Sequence, residues 1–172
     1  MSTQETRGAE STFEEFVNAT AGRLLRTAVF LVHDRHLAED LLQTAYERVA
    51  RRWRRVAAGN PEAYTRKVLV NLAIDENKRR ARRRERPVGS VADVERLVQA
   101  APPGAGGGEL DEVLGALPAK QRAVLVLRYW CDLSEQEIAD TLGISPGTVK
   151  SHTSRAMSAL RERVKGGRVH GR

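Results

Sequence analysis

Six residues, Gly147, Thr148, Lys150, Ser151, Ser154 and Arg155, combine short hydrogen-bonding groups with two cations. Helical spacing puts them on one outward face, near the N-terminal half of a helix. Short donors can approach base edges, cations meet phosphates, and a helix N-terminus adds its own affinity for phosphate. The chemistry open to this set is nucleic-acid binding. An ordinary solvated helix face would also carry such residues, so the elements around them must decide.

A second basic set lies upstream. The run Lys78, Arg79, Arg80, Arg82, Arg83, Arg84 and Arg86 joins Arg51, Arg52, Arg54, Arg55, Arg66 and Lys67, and together they could line a surface that tracks phosphates. From Tyr46 to Arg86 there are 14 Lys and Arg against five Asp and Glu, while the whole chain carries a formal charge of +7. The positive field therefore belongs to this one segment and points to a polyanionic partner.

The elements that position both sets are helical. Only 5% of the 172 residues are aromatic and 30% are charged, with helix-favouring Ala, Leu, Glu and Arg abundant. The expected class is all-α: two small helical domains on a flexible linker. Residues 1–10 are polar and patternless and are expected to be loose, with a first helix capped at Ser11 or Thr12. Asp34 suits the N-cap of a second helix, whose inner stripe is Leu37, Leu41, Ala45, Val49 and Trp53. Asn60-Pro61-Glu62 opens a third, carrying Tyr64, Val68, Leu69, Leu72 and Ile74 inward. The first domain spans 11–86 and the linker, rich in Pro and Gly at its end, spans 87–108, with room for a turn of helix from Val91 to Val98.

In the second domain, 109–164, Leu110, Val113, Leu114 and Leu117 start a helix that Pro118 interrupts, and Val124, Leu125, Leu127 and Tyr129 continue the next. Then come Ser134-Glu135-Gln136-Glu137, a capping box, and Ser145-Pro146, an N-cap with Pro at the first helical position. The turn Leu142-Gly143-Ile144 separates them, with Gly143 where positive φ is needed. This is a helix-turn-helix, with Ile138, Ala139, Leu142, Ile144, Val149, Ala156 and Leu160 as its inner set. Residues 165–172 have no pattern and are expected to fray.

Here the residues carry a resemblance. His36 to Tyr46, Asn60 to Tyr64 and Val70 to Ala73, then Leu117 to Arg122, Leu133 to Ala139 and Gly147 to Ser151, resemble the extracytoplasmic-function sigma factors of bacterial RNA polymerase, of actinobacterial type, in order and separation. The resemblance implies a promoter-recognition subunit with no catalysis of its own. It implies that Glu39, Asp40, Leu41 and Gln43 face the β′ clamp helices of core polymerase. Asn71 would read a flipped base of the −10 element, with Tyr64, Arg66, Lys67, Lys78 and Arg79 around it, and the six residues named first would meet the −35 major groove. The second domain would bind the β flap, and an anti-sigma factor is the implied regulator. The melting helix of this family often carries several aromatics, whereas Tyr64 is the only one between Asn60 and Arg86. Trp53 and Val56 at the preceding loop could line a base pocket, but Trp53 is expected to pack in the core.

Other classes fit less well. Gly147-Thr148-Val149-Lys150-Ser151-His152 also suits a stand-alone regulator of the LuxR type, but a receiver half would need alternating strands. His33, His36, His152 and His170 form no catalytic or metal-binding set, and Gly104 to Gly108 lacks the Lys-Ser/Thr of a nucleotide loop. No cofactor is expected. Lys78 to Arg86 has no apolar face for a membrane surface, and the opening MSTQETRGAEST has neither a signal pattern nor a spanning run. With the single Cys131, this leads to the expectation of a cytoplasmic protein that does not insert into membrane.

Overall fold

The computed structural model of the chain describes residues 2–84 and 114–167. It is built of helices: α1 (Ser2–Val32), α2 (Arg35–Ala50), the single turn α3 (Trp53–Val56), α4 (Pro61–Arg84), α5 (Ala119–Leu125) running into a π-helical turn (Val126–Trp130), α6 (Glu135–Leu142) and α7 (Pro146–Gly167). No strand occurs among the described residues. The expected linker 87–108, with its turn at Val91 to Val98, and Leu110 and Val113 lie outside them. So do residues 168–172.

The starts of the helices follow local capping chemistry. The Asp34 carboxylate accepts the Leu37 amide at 3.0 Å, and the Asn60 side-chain oxygen accepts that of Ala63 at 3.0 Å. Ser134 and Glu137 close a reciprocal capping box on α6. The Ser145 hydroxyl accepts the Thr148 amide at 3.1 Å at the head of α7. Each cap satisfies an amide that the first helical turn leaves without a partner. Gly143 sits at φ 64° and ψ 38°, the left-handed conformation that ends α6 and turns the chain into α7.

Packing corrects several expectations. A loose start was expected for residues 1–10, and α1 runs from Ser2. At the other end α7 continues through Gly167, past residue 165 where the frayed tail was expected to begin. On α2 the buried residues are Ala38, Leu42, Ala45 and Val49, and Leu37 and Leu41 lie on the flank. The helix is held between α1 and α4, and that pair selects the second member of each apolar doublet. Trp53 belongs to α3, beyond a turn at Arg51-Arg52. On α4, Thr65, Leu69, Val70, Ala73 and Ile74 are buried, while Tyr64, Val68 and Leu72 are only partly so.

Tyr129 is 64% exposed rather than inward. The π turn explains it: the Cys131 amide bonds the Val126 carbonyl five residues back at 3.1 Å, so one extra residue rotates the later side chains off the α-helical register. Trp130 is 45% exposed by the same rotation.

The helices α1, α2 and α4 pack on one another, and α7 packs on both α5 and α6, which gives two helical units. The units also pack together, α4 against α5 and α6, and α1 against the π turn. Their apolar residues form one continuous cluster that includes Leu24, Ala28, Leu69 and Val70 from the first unit and Val124, Leu127, Ile138 and Val149 from the second. Phe13 and Phe16 close over Trp53 with ring centroids 5.1 and 5.2 Å away.

Candidate nucleic-acid interface

The first ridge lies on α7. Val149 and Ala156 are buried, which turns the opposite side outward: Gly147, Lys150, Ser151, Ser154 and Arg155 are exposed and Thr148 is partly so. At about 100° per residue the first four fall on one arc, with Arg155 at its edge. The same arc continues to Ser158 and Arg161, both exposed, which the sequence reading did not single out. Some of these groups are already engaged. The Thr148 hydroxyl meets that of Ser145 at 2.8 Å, Ser151 donates to the Gly147 carbonyl at 3.1 Å, and the Lys150 ammonium lies 3.7 Å from Glu135 on α6. Behind the ridge, burial and the positive charges of Lys120 and Arg155 push His152 below the usual imidazole range.

The second ridge lies on α4. Tyr64, Lys67, Asn71 and Lys78 stand at helical intervals on one outward line, with Asn71, Lys67 and Lys78 exposed. Arg79 is next to it and leans toward Glu76 at 3.5 Å. Arg52, from the turn before α3, donates to the Tyr64 hydroxyl at 3.2 Å and so joins the head of the ridge. That contact has no local signature in sequence, where Arg52 was only one of several basic residues.

Arg66 is not brought to this ridge. Five residues from Asn71, it is turned about 140° around the helix. It lines a cavity of about 170 Å³ with Arg23, Thr27, Glu62, Trp130 and Cys131, and its Nε is buried without a hydrogen-bond partner. Trp53 is 8% exposed beneath Phe13 and Phe16, which leaves it a core residue rather than a wall for an extruded base.

Of the polymerase-facing set, Glu39, Asp40 and Gln43 are exposed on α2, whereas Leu41 packs partly against the core. Glu39 and Gln43, with Glu47, rim a groove of about 490 Å³ between α1 and α2 whose floor includes Leu25, Leu42 and Tyr46. Gln43 donates to Glu47 at 3.3 Å, and Glu39 pairs with Arg35 at 3.1 Å. Among the described residues no group of three or more His, Cys, Asp or Glu could hold a metal, and no helix is long and apolar enough to cross a membrane.

Two helical units, one presenting a helix-turn-helix and the other a basic helix with an outward amide, fit a DNA-binding protein. The comparisons give its kind. Residues 16–85 match the Sigma-70 region 2 family and residues 107–160 the Sigma-70 region 4 family. The chain is 39% identical over 153 residues to the RNA polymerase sigma-E factor of Streptomyces coelicolor, covering 88% of this chain and 85% of that protein. It is 35% identical over 151 residues to the ECF RNA polymerase sigma factor SigL of Mycobacterium tuberculosis, covering 82% of each. The chain belongs to the extracytoplasmic-function sigma factors, which direct bacterial core RNA polymerase to promoters. A region 2 match over the first half removes the LuxR-type alternative. The fold is also that of the sigma factor RpoE from Bartonella quintana, solved in complex with the anti-sigma factor NepR (TM-score 0.63, 23% identity, 90% of this chain and 97% of that one). CnrH, solved in complex with the cytosolic domain of CnrY, aligns at TM-score 0.62 and 21% identity over 95% of this chain and 94% of that one.

Proposed function

We propose that the α4 ridge reads and holds open the −10 element and that the α7 ridge reads the −35 element. The carrying observation is that each unit turns one polar ridge outward while burying the opposite face of the same helix. In this reading Asn71 bonds the polar edge of an unstacked base, Tyr64 offers it a ring to stack on, and Lys67, Lys78 and Arg79 meet the flanking phosphates. Gly147 admits the DNA backbone closely, Thr148, Ser151 and Ser154 approach base edges, and Lys150 and Arg155 supply charge. Arg66, being turned away, has no part in DNA contact.

Glu39, Gln43 and the groove they rim suit a polymerase helix with an apolar stripe and basic flanks, which is the role we assign to the β′ clamp helices. Asp40 adds charge on the same outward side, and Leu41 supports the helix from within. The second unit engages the β flap. An anti-sigma factor restrains the protein, by analogy with the relatives solved in such complexes. Catalysis stays with the core enzyme, and the work is done in the cytoplasm.

Run-off transcription on a genomic-fragment library with bacterial core polymerase tests this reading. New start sites are expected only with the protein present, and they should weaken by tenfold or more for Asn71→Ala and for Arg155→Ala. Unchanged start sites in both variants would overturn the assignment of the ridges.

A further inference from the structure

The cavity of about 170 Å³ that Arg66 lines lies in the seam between the two units, and neither ridge uses it. Arg23 and Thr27 of α1 face it together with Glu62 and Arg66 of α4, and Trp130 and Cys131, at the end of the π turn, close it from the second unit. Its polar groups differ in what already occupies them. Both Glu62 oxygens are taken by the Arg23 fork, from Nη2 at 2.9 Å and Nε at 3.4 Å. The Thr27 hydroxyl donates to the Arg23 carbonyl at 3.0 Å and lies 3.7 Å from the Cys131 sulfur. The Arg66 Nε is buried with no hydrogen-bond partner, and among the described residues no carboxylate pairs with this guanidinium.

We infer that this cavity is a binding site for a small oxyanion of the size of phosphate or sulfate, held by Arg66. A buried cationic N–H without an acceptor is costly, and the geometry of a guanidinium matches an oxyanion. Charge favours the same class. Arg23 and Glu62 cancel, and burial pushes the Cys131 thiol up so that it stays neutral, which leaves Arg66 to set a positive sign. Size narrows the class further. The cavity exceeds the roughly 30 Å³ share of a single water and falls below the roughly 300–1,000 Å³ of sites for drug-sized ligands. A whole nucleotide does not fit, whereas a tetrahedral oxyanion does.

One oxygen of the bound anion accepts from the Arg66 Nε. The Cys131 thiol, whose contact with Thr27 is long, turns its proton to a second oxygen. The anion thereby bridges α4 and the end of the π turn. Because it binds only the folded chain, it raises stability as RT ln(1 + [L]/Kd) and makes that stability depend on the oxyanion concentration. Arg66 is turned away from Asn71, so the bound anion leaves the α4 ridge uncovered.

Cys131 is the chain's single cysteine and lines the cavity, so it reports occupancy. Alkylation of the full-length protein by iodoacetamide, followed by mass spectrometry, should slow at least fivefold in millimolar inorganic phosphate relative to chloride at equal ionic strength. Arg66→Gln should bring that ratio to about one. Glu62→Gln, which removes the cavity's carboxylate, should lower the phosphate concentration for half-protection severalfold. Thermal unfolding of the wild type needs no variant: its midpoint should rise with phosphate and level off as the site fills. Equal alkylation rates in phosphate and chloride would overturn the proposal, and so would protection that persists in a folded Arg66→Gln protein. A midpoint that climbs linearly without levelling would mark general exclusion of the salt from the protein surface and would overturn it as well.

Discussion

The carboxylate of Asp34 and the guanidinium of Arg80 meet at 2.9 Å, 46 residues apart in sequence. The same carboxylate caps α2 through the Leu37 amide, so one side chain both starts α2 and anchors the basic end of α4. Burial acts to raise the acid's pKa, but the Leu37 amide bond and the Arg80 guanidinium outweigh it and leave the group below the ordinary carboxylate range. A depressed acid contributes stability above its unfolded pKa of about 3.9 and loses it as pH falls through the folded value. Asp34→Asn keeps the cap and removes the ion pair. Urea denaturation should find it about 1 kcal/mol less stable than wild type at pH 7. The difference should shrink toward zero below about pH 4, and a gap that stays constant with pH would mean the pair carries no linkage.

Arg122 donates to the carbonyls of Leu114, Gly115 and Leu117 as well as to Leu31 while only 7% exposed. Removing it takes away the side-chain donor of several buried carbonyls. Arg122→Ala should cost about 2–4 kcal/mol. Arg122→Lys should recover little of that, because a single ammonium cannot match a planar fork. Tryptophan fluorescence during chemical denaturation measures both, and a Lys variant as stable as wild type would show that charge alone suffices.

The cluster of Phe13, Phe16 and Trp53 separates a packing role from a base-binding one. Trp53→Ala should lose about 3–5 kcal/mol of stability. Trp53→Phe, which keeps a ring in the cluster, should retain most of the promoter-directed transcription. Strong loss of transcripts from a Trp53→Phe protein of near-normal stability would return this residue to the DNA pocket.

Lys150 and Glu135 form an exposed pair, the lysine side chain being 73% accessible, so the contact adds little to folding. Glu135→Gln should leave stability within about 0.5 kcal/mol of wild type and free the ammonium for phosphate. Lys150→Ala should weaken binding of the polymerase complex to −35 DNA across promoter sequences, reducing the salt slope by about 1. Titrations at several salt concentrations read this directly, and a sequence-selective loss would assign Lys150 to base edges instead.

Sequence alone determined the helix starts at Asp34, Asn60, Ser134 and Ser145, the Gly143 turn and the division into two helical units. These rest on bonds between residues three apart, or on a backbone conformation that one residue type tolerates best, so they are written locally. The α7 ridge was legible for the same reason, since one helix period decides which residues oppose Val149 and Ala156. Tertiary structure decided the rest. Periodicity could not choose between Leu41 and Leu42, because both belong to an apolar stripe and the choice depends on the helices at either side. It could not tell that Arg66 turns away from Asn71 into the seam, that a π turn carries Tyr129 outward, or that Arg52 reaches Tyr64. The bond from Arg122 to Leu31 joins residues that leave no mark on each other's neighbours in sequence, and contacts of that kind exist only once distant helices have packed.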